Sequence, residues 1–356
     1  MISPWAFPLA IMGGMSAAAL AAGNTVVIKP AGHASVTAAK FVQVCHDVGF
    51  PPGVVNFLPG EGASVGAHLV EHADVQVVAF TGSDVVGMAV LQSGARVRPG
   101  QAYIKKMIVE MGGHNAIIID DDADLDRAVQ AVIDSAFVQA GQKCSSCSRA
   151  VVLAGVYDSF CERIVEAARC VPIGPAEAPA TVVGPLIEKE EMQRVLRHIE
   201  RATAEARLLH RGELPPECEG GYFVPPTIIA DVDPSSPLAG EEIFGPVLSI
   251  MRAADFQEAI DIANQTRYAL TGGLFSRSPA HIERARRDFA VGNLYINRRI
   301  IGSQVDAQPF GGFKLSGTGV KAGSPDYLLH YMDARCITEN TLRSGLVPDE
   351  SQTNLA

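Results

Sequence analysis

Val75-Gln76-Val77-Val78-Ala79-Phe80-Thr81-Gly82-Ser83-Asp84-Val85-Val86-Gly87 passes from an apolar, β-branched run straight into a Gly-Ser turn and a helix-like segment. A continuous apolar run of this length reads as a strand buried on both faces, the condition of a parallel sheet covered by helices. The same alternation surrounds it. A small-residue helix ends near Gly23-Asn24 and leads to Thr25-Val26-Val27-Ile28, and a helix over residues 35–48 leads to Val54-Val55-Asn56-Phe57-Leu58. A further helix around residues 62–71 precedes the quoted strand. A second set starts at Asn115-Ala116-Ile117-Ile118-Ile119, continues through a helix over residues 125–140, and alternates to about residue 295. The fold class is α/β, with a parallel sheet in the first half and a second α/β alternation after it.

Bulk properties narrow the function. With 356 residues the chain is long enough for two domains whose cores need no disulfide or metal. A net charge of −10, with no run of Lys or Arg, argues against a general affinity for nucleic acid or anionic membrane. Seven cysteines, an odd number spread along the chain, point to reduced thiols in a cytoplasmic compartment. The first charged side chain is Lys29, and Ala17-Ala18-Ala19-Leu20-Ala21-Ala22 resembles a signal-peptide cleavage region. No basic segment precedes it, and Pro4, Pro8, Gly13 and Gly14 interrupt the span, so a buried small-residue helix is the better reading.

Four stretches carry candidate chemistry. Gly82-Ser83 opens a helix from a buried strand, which presents free N–H groups to a phosphate; a Ser N-cap with a tightly packed glycine is the plainer alternative. Gly141-Gln142-Lys143-Cys144-Ser145-Ser146-Cys147-Ser148-Arg149 contains a C-x-x-C. Zinc would need a second Cys or His pair at ligand spacing, and none is present, so no metal is expected. A redox dithiol, a Cys144 nucleophile beside Lys143, and two ordinary buried thiols remain open. Glu110, before Met111-Gly112-Gly113, is either a solvated strand end or a carboxylate in an apolar recess able to act as a base. Glu241-Glu242-Ile243-Phe244-Gly245-Pro246 is either an exposed turn or a ribose-binding carboxylate with an aromatic wall.

In this order the motifs resemble the aldehyde dehydrogenase superfamily from residue 3 to about residue 340: Ser3-Pro4-Trp5-x-Phe7-Pro8, Val26-Val27-Ile28-Lys29-Pro30, Phe80-Thr81-Gly82-Ser83, Glu110-Met111-Gly112-Gly113, Gly141-Gln142-Lys143-Cys144, the Glu241 stretch, and Pro309-Phe310-Gly311-Gly312. Gly292-Asn293-Leu294-Tyr295-Ile296-Asn297-Arg298, Gly302-Ser303 and Lys321-Ala322-Gly323-Ser324-Pro325-Asp326-Tyr327-Leu328 are similar to its 1-pyrroline-5-carboxylate dehydrogenase branch. That branch oxidises L-glutamate γ-semialdehyde to glutamate with NAD, in proline catabolism, as a separate enzyme or fused to proline dehydrogenase.

The resemblance implies a Rossmann-type cofactor domain over residues 1–112, a catalytic thiol domain over 113–325, and an oligomerisation arm with a polar tail over 326–356. It implies that Cys144 is the nucleophile and Glu110 the base. Lys29 and Glu242 would hold the riboses of NAD, Gly82 and Ser83 its pyrophosphate, and Phe244 its nicotinamide. Ser145, Ser303 and the backbone at Gly302 would bind the substrate carboxylate, with Phe310 on the aliphatic chain. The only partner implied besides the small-molecule substrate is a second copy of the chain in a homo-oligomer, or a fused proline dehydrogenase.

The sequence departs from the pattern in four places. Ala6 stands where the family has an Asn that helps form the oxyanion hole, and losing one such donor costs about 100- to 1,000-fold in rate. The family carries a segment ahead of the Pro-Trp corner, so the cofactor domain is expected to be incomplete at its N-terminus. Gly32 and Ile301 replace, respectively, a common acid and a branch Thr. Two rival readings follow: a truncated remnant with weak or no activity, and an aldehyde dehydrogenase for another substrate.

Overall fold

The computed structural model describes residues 1–304 and 306–341; the polar tail expected after Leu346 lies outside them. Five short strands form the first sheet: β1 (Ile2–Ser3), β2 (Val26–Pro30), β3 (Val55–Phe57), β4 (Val77–Thr81) and β5 (Lys106–Glu110). All pair in parallel, in the order β3-β2-β1-β4-β5. The chain builds outward from β1 through β2 to β3 and then crosses back to place β4 on the other side of β1. The order therefore reverses between β1 and β4. A crevice at the carboxyl ends of strands flanking such a reversal is where open α/β sheets bind ligands. Here those ends lead into Pro4-Trp5 and Gly82-Ser83.

Helices α1 (Ala10–Ala21), α2 (Ser35–Asp47), α3 (Ala67–Glu71) and α4 (Asp84–Gly94) cover this sheet. The low-charge stretch near the start is α1, rich in the strong helix former Ala, and it buries Met12, Met15, Ser16, Ala18 and Ala19. Among the described residues no helix is long and apolar enough to cross a membrane. One expected helix is divided: Gly62–Gly66 winds as a wider π turn before α3 begins. That turn lies over the Lys29 side chain, whose Nζ would be 4.0 Å from a Cβ at Gly62.

The second sheet begins with β6 (Asn115–Ile119), β7 (Cys147–Leu153), β8 (Arg207–Arg211), β9 (Thr227–Ala230) and β10 (Val247–Ala253). Next come β11 (Tyr268–Ala269), β12 (Thr271–Phe275), β13 (Asn293–Ile296) and β14 (Phe313–Lys314). Its order is β13-β12-β6-β7-β10-β9-β8, while β11 and β14 pair separately as an antiparallel clip. Only β8 runs antiparallel to its neighbour in the seven-stranded sheet. Between β8 and β9 the chain forms just a short 3-10 turn, Pro216–Cys218, so there is no crossover helix to return it in parallel.

Helices α5 (Leu125–Phe137), α6 (Tyr157–Arg169), α7 (Lys189–Glu205), α8 (Phe256–Asn264) and α9 (Pro279–Asp288) flank this sheet. Ile117, Ile118 and Ile119 are all fully buried, as a run with no polar alternation requires. The helix expected over residues 125–140 stops at Phe137. Gln139, Ala140 and Gly141 all take left-handed conformations, with φ of 59°, 55° and 69°. The break is a tertiary effect: a Cβ at Gly141 would collide with the Gly245 carbonyl, so the chain turns where two loops press together.

Candidate active site

The register of β4 with β5 sets Thr81 opposite Glu110, at the carboxyl end of the first sheet. Glu110 is enclosed there. A bridge joins it to Gly317, and its Oε1 is buried without a hydrogen-bond partner. Burial pushes its carboxyl up to about 8, against the opposing charge of Lys321 and the Gly312 amide.

Beyond Glu110 the chain makes the Gly112-Gly113 turn before β6. A Cβ at Gly112 would collide with the Glu242 carboxylate, and Gly113 N–H donates to Glu242 Oε1 at 2.9 Å. The glycines thus admit a second carboxylate, which burial raises to about 7. Its sequence neighbour Glu241 turns away to pair with Arg201 at 2.6 Å and with His198.

Cys144 follows the left-handed turn, and a buried amide from β6 holds its loop. Asn115 Nδ2 donates to the carbonyls of Cys144 at 2.7 Å and Ser146 at 2.8 Å, while its Oδ1 accepts from Thr271 N–H at 2.9 Å. Thr271 Oγ1 in turn donates to the Ser145 carbonyl at 3.3 Å. Burial pushes the Cys144 thiol up to about 12, with further contributions from Glu110 and then Glu242. One thiol and two carboxylates are therefore electrostatically coupled in one recess. Arg149, fully buried at the start of β7, donates to His114 O at 2.8 Å, Ile262 O at 3.0 Å and Ala263 O at 2.9 Å. It ties the last carbonyls of α8 to the turn that seats Glu242.

The Pro4-Trp5-Ala6-Phe7 corner closes over this loop. Trp5 packs edge-on against Phe244, with ring centroids 5.5 Å apart, and Lys143 Nζ lies 5.7 Å from the Phe7 ring centre. Ala6 sits between those two contacts, with no side-chain donor to offer. Burial lowers Lys143 to about 8, and Arg299 adds to the effect.

The other expected residues fall into two groups. Toward the first sheet, Lys29 is buried at the end of β2, where burial lowers its ammonium while Glu61 opposes the change. Ser83 Oγ caps α4 by accepting from Val86 N–H at 3.4 Å, and Gly82 leaves room for the Phe80 ring, 2.6 Å from where a Cβ would stand. Both features of the plainer reading of Gly82-Ser83 are present. The residues nonetheless suit a dinucleotide: a buried ammonium and a helix N-terminus lie at the carboxyl ends of β2 and β4, beside the reversal in strand order.

Toward the second sheet, Ser145 is buried beside Cys144. Ser303 Oγ pairs with Tyr295 OH at 2.5 Å, Gly302 is left-handed at φ 73°, and Phe310 bridges Ala322. Sequence reasoning gave no role to Asn115, Tyr295 or Lys321. Asn115 alone carried a local signal, as the amide at the head of an otherwise apolar run.

A profile of the aldehyde dehydrogenase family matches residues 1–337. The chain is 47% identical over 339 residues to a 1-pyrroline-5-carboxylate dehydrogenase of Geobacillus thermodenitrificans (strain NG80-2), and 49% identical to one of Bacillus subtilis (strain 168). Each match covers 95% of this chain, which spans 65% of the length of those relatives. Among solved structures, a Thermus 1-pyrroline-5-carboxylate dehydrogenase with bound NAD superposes with a TM-score of 0.90 at 47% identity, covering 93% of this chain and 64% of that one. Proline utilization A (PutA) of Bdellovibrio bacteriovorus superposes with a TM-score of 0.94 at 53% identity, covering 98% of this chain and 36% of that one.

Proposed function

The chain belongs to the aldehyde dehydrogenase family, and on that footing we propose that it oxidises L-glutamate γ-semialdehyde to L-glutamate with NAD. The observation that carries this reading is the coupling of Cys144, Glu110 and Glu242 in one buried recess at the carboxyl end of the first sheet. Similarity to enzymes named 1-pyrroline-5-carboxylate dehydrogenase, one of them solved with bound NAD, supports the substrate and the cofactor.

In this mechanism Cys144 loses its proton to solvent, and its sulfur bonds the aldehyde carbon as the carbonyl π pair moves to oxygen. NAD, when bound, supplies the two-electron acceptor that leaves a thioester on Cys144. Glu110 then takes a proton from water, the water oxygen attacks the thioester carbon, and Cys144 departs as the thiolate. Lys29 and Glu242 would hold the riboses, Gly82 and Ser83 the pyrophosphate, and Phe244, braced by Trp5, the nicotinamide. The Cys144 backbone N–H remains as a donor to the oxyanion while Ala6 offers none; this favours a slow enzyme over a fast one.

The substrate's α-carboxylate distinguishes it from a simple aldehyde. Ser145, Ser303 and the backbone at Gly302 serve it as donors, and Phe310 packs on the chain between the carboxylate and the reacting carbon. On this reading residues 1–112 belong to the cofactor part, 113–325 to the thiol part and 326–356 to the assembly arm. The exposed Val85 and Val86 of α4 support a homo-oligomer. Similarity to a proline utilization A protein supports action beside, or within, a polypeptide that oxidises proline. Seven free thiols support a reducing, cytoplasmic compartment.

Substrate competition tests the assignment. With NAD present, kcat/KM for pyrroline carboxylate should exceed that for acetaldehyde or benzaldehyde by about 100-fold or more, since a site built around polar donors rejects ligands that leave them unpaired. A preference for the simple aldehydes would overturn the substrate and leave the reaction type standing.

A further inference from the structure

Lys321 has no part in the chemistry just described, yet three pieces of the site converge on it. Its Nζ donates to Gly292 O at 2.6 Å, to Asn293 Oδ1 at 3.2 Å, and to Gly311 O. Asn293 secures the same loop from the other side: its Oδ1 accepts from Gly311 N–H at 3.2 Å, and its Nδ2 donates to Pro309 O at 2.8 Å. The residue between those anchors is Phe310. Gly311 in turn lies directly against the base, because a Cβ there would stand 2.7 Å from Glu110 Oε1. One ammonium and one amide therefore fix the backbone that carries Phe310 and supports Glu110.

The charges around Glu110 are unbalanced without Lys321. The Cys144 thiol and the Tyr327 hydroxyl both interact with Glu110, and each carries negative charge when ionised. Glu242 adds a further carboxylate beside Cys144. Lys321 brings the opposite sign, although burial lowers its own ammonium. An ammonium whose donors are spent on two backbone carbonyls and an amide oxygen is held in place, and a fixed charge near a desolvated carboxyl acts on it more strongly than one free to swing into water.

We propose that Lys321 is a positioning residue for Glu110: it locks residues 309–311 through the Gly311 and Gly292 carbonyls and presents the fixed positive charge beside which that carboxyl ionises. The inference rests on Glu110 being the base of the proposed reaction, but its test needs no turnover. Difference infrared spectroscopy across a pH series isolates the protonated-carboxyl band of Glu110 as the one abolished by Glu110→Gln. In the full chain, Lys321→Met should move the midpoint of that band upward by about one pH unit, and Lys321→Arg should hold it near the parent value.

An unmoved midpoint in Lys321→Met, or an equal displacement in Lys321→Arg, overturns the proposal and leaves Lys321 a structural staple. Should Lys321→Met fail to fold, Lys321→Gln keeps a donor for the Gly311 carbonyl without the charge and carries the same comparison. Absence of turnover would count against the proposed function alone, and an unmoved midpoint against Lys321 alone.

Discussion

Glu110 is held by burial near 8, well above its ordinary value of 4.5. The base form therefore accumulates only as pH rises through that value, and hydrolysis of the thioester should quicken between pH 7 and 9, measurable as turnover under saturating substrate. The same shift bears on stability. Because the folded state holds the proton more tightly than the unfolded chain, the contribution is fully present below about 4.5 and is lost as pH rises through about 8. Glu110→Gln should flatten that fall: its thermal midpoint should exceed the parent's at pH 9 and approach it at pH 4. Ala6 offers a gain of function. Restoring an amide by Ala6→Asn should raise kcat by about 100-fold or more; no change would mean that position 6 lies too far from the reacting oxygen. That Cys144, Glu110 and Glu242 share one recess was legible in the sequence only through the local motif each sits in. Lys321 carried no such signal, and Asn115 only its place at the head of an apolar run, since their partners lie up to 29 and 156 residues away and only the fold assembles them.

At the scale of elements, two turns govern the site. Asn115 joins the Cys144 loop to β12, and Asn115→Ala would leave two carbonyls and one N–H unpaired in a buried position. It should destabilise the chain by about 2 to 3 kcal/mol in denaturant unfolding. The Gly112-Gly113 turn exists to admit Glu242. Gly112→Ala should displace that carboxylate and weaken NAD binding by about tenfold or more in calorimetric titration, while alkylation of Cys144 proceeds at a similar rate. The strands were readable because unbroken Val and Ile runs have few alternatives in an α/β chain, and β6 falls where its five apolar-rich residues predict. The end of α5 was not readable. Residues 138–140 continue a helical pattern, and the left-handed turn that replaces it is imposed by the Gly245 backbone more than a hundred positions along the chain.

For the molecule as a whole, the reversal between β1 and β4 gathers Trp5, Lys29, Ser83 and Glu110 at the carboxyl end of the first sheet. The loops preceding β6 and β7 bring Gly113 and Cys144 to meet them. That convergence, more than any single motif, is the basis for reading the chain as an aldehyde-oxidising catalyst. Mass spectrometry of Glu110→Gln, incubated with NAD and pyrroline carboxylate, tests it most directly. With hydrolysis blocked, Cys144 should carry a glutamyl thioester in proportion to the NADH formed. An unmodified Cys144 with no NADH, persisting when Ala6→Asn is added, would contradict the account.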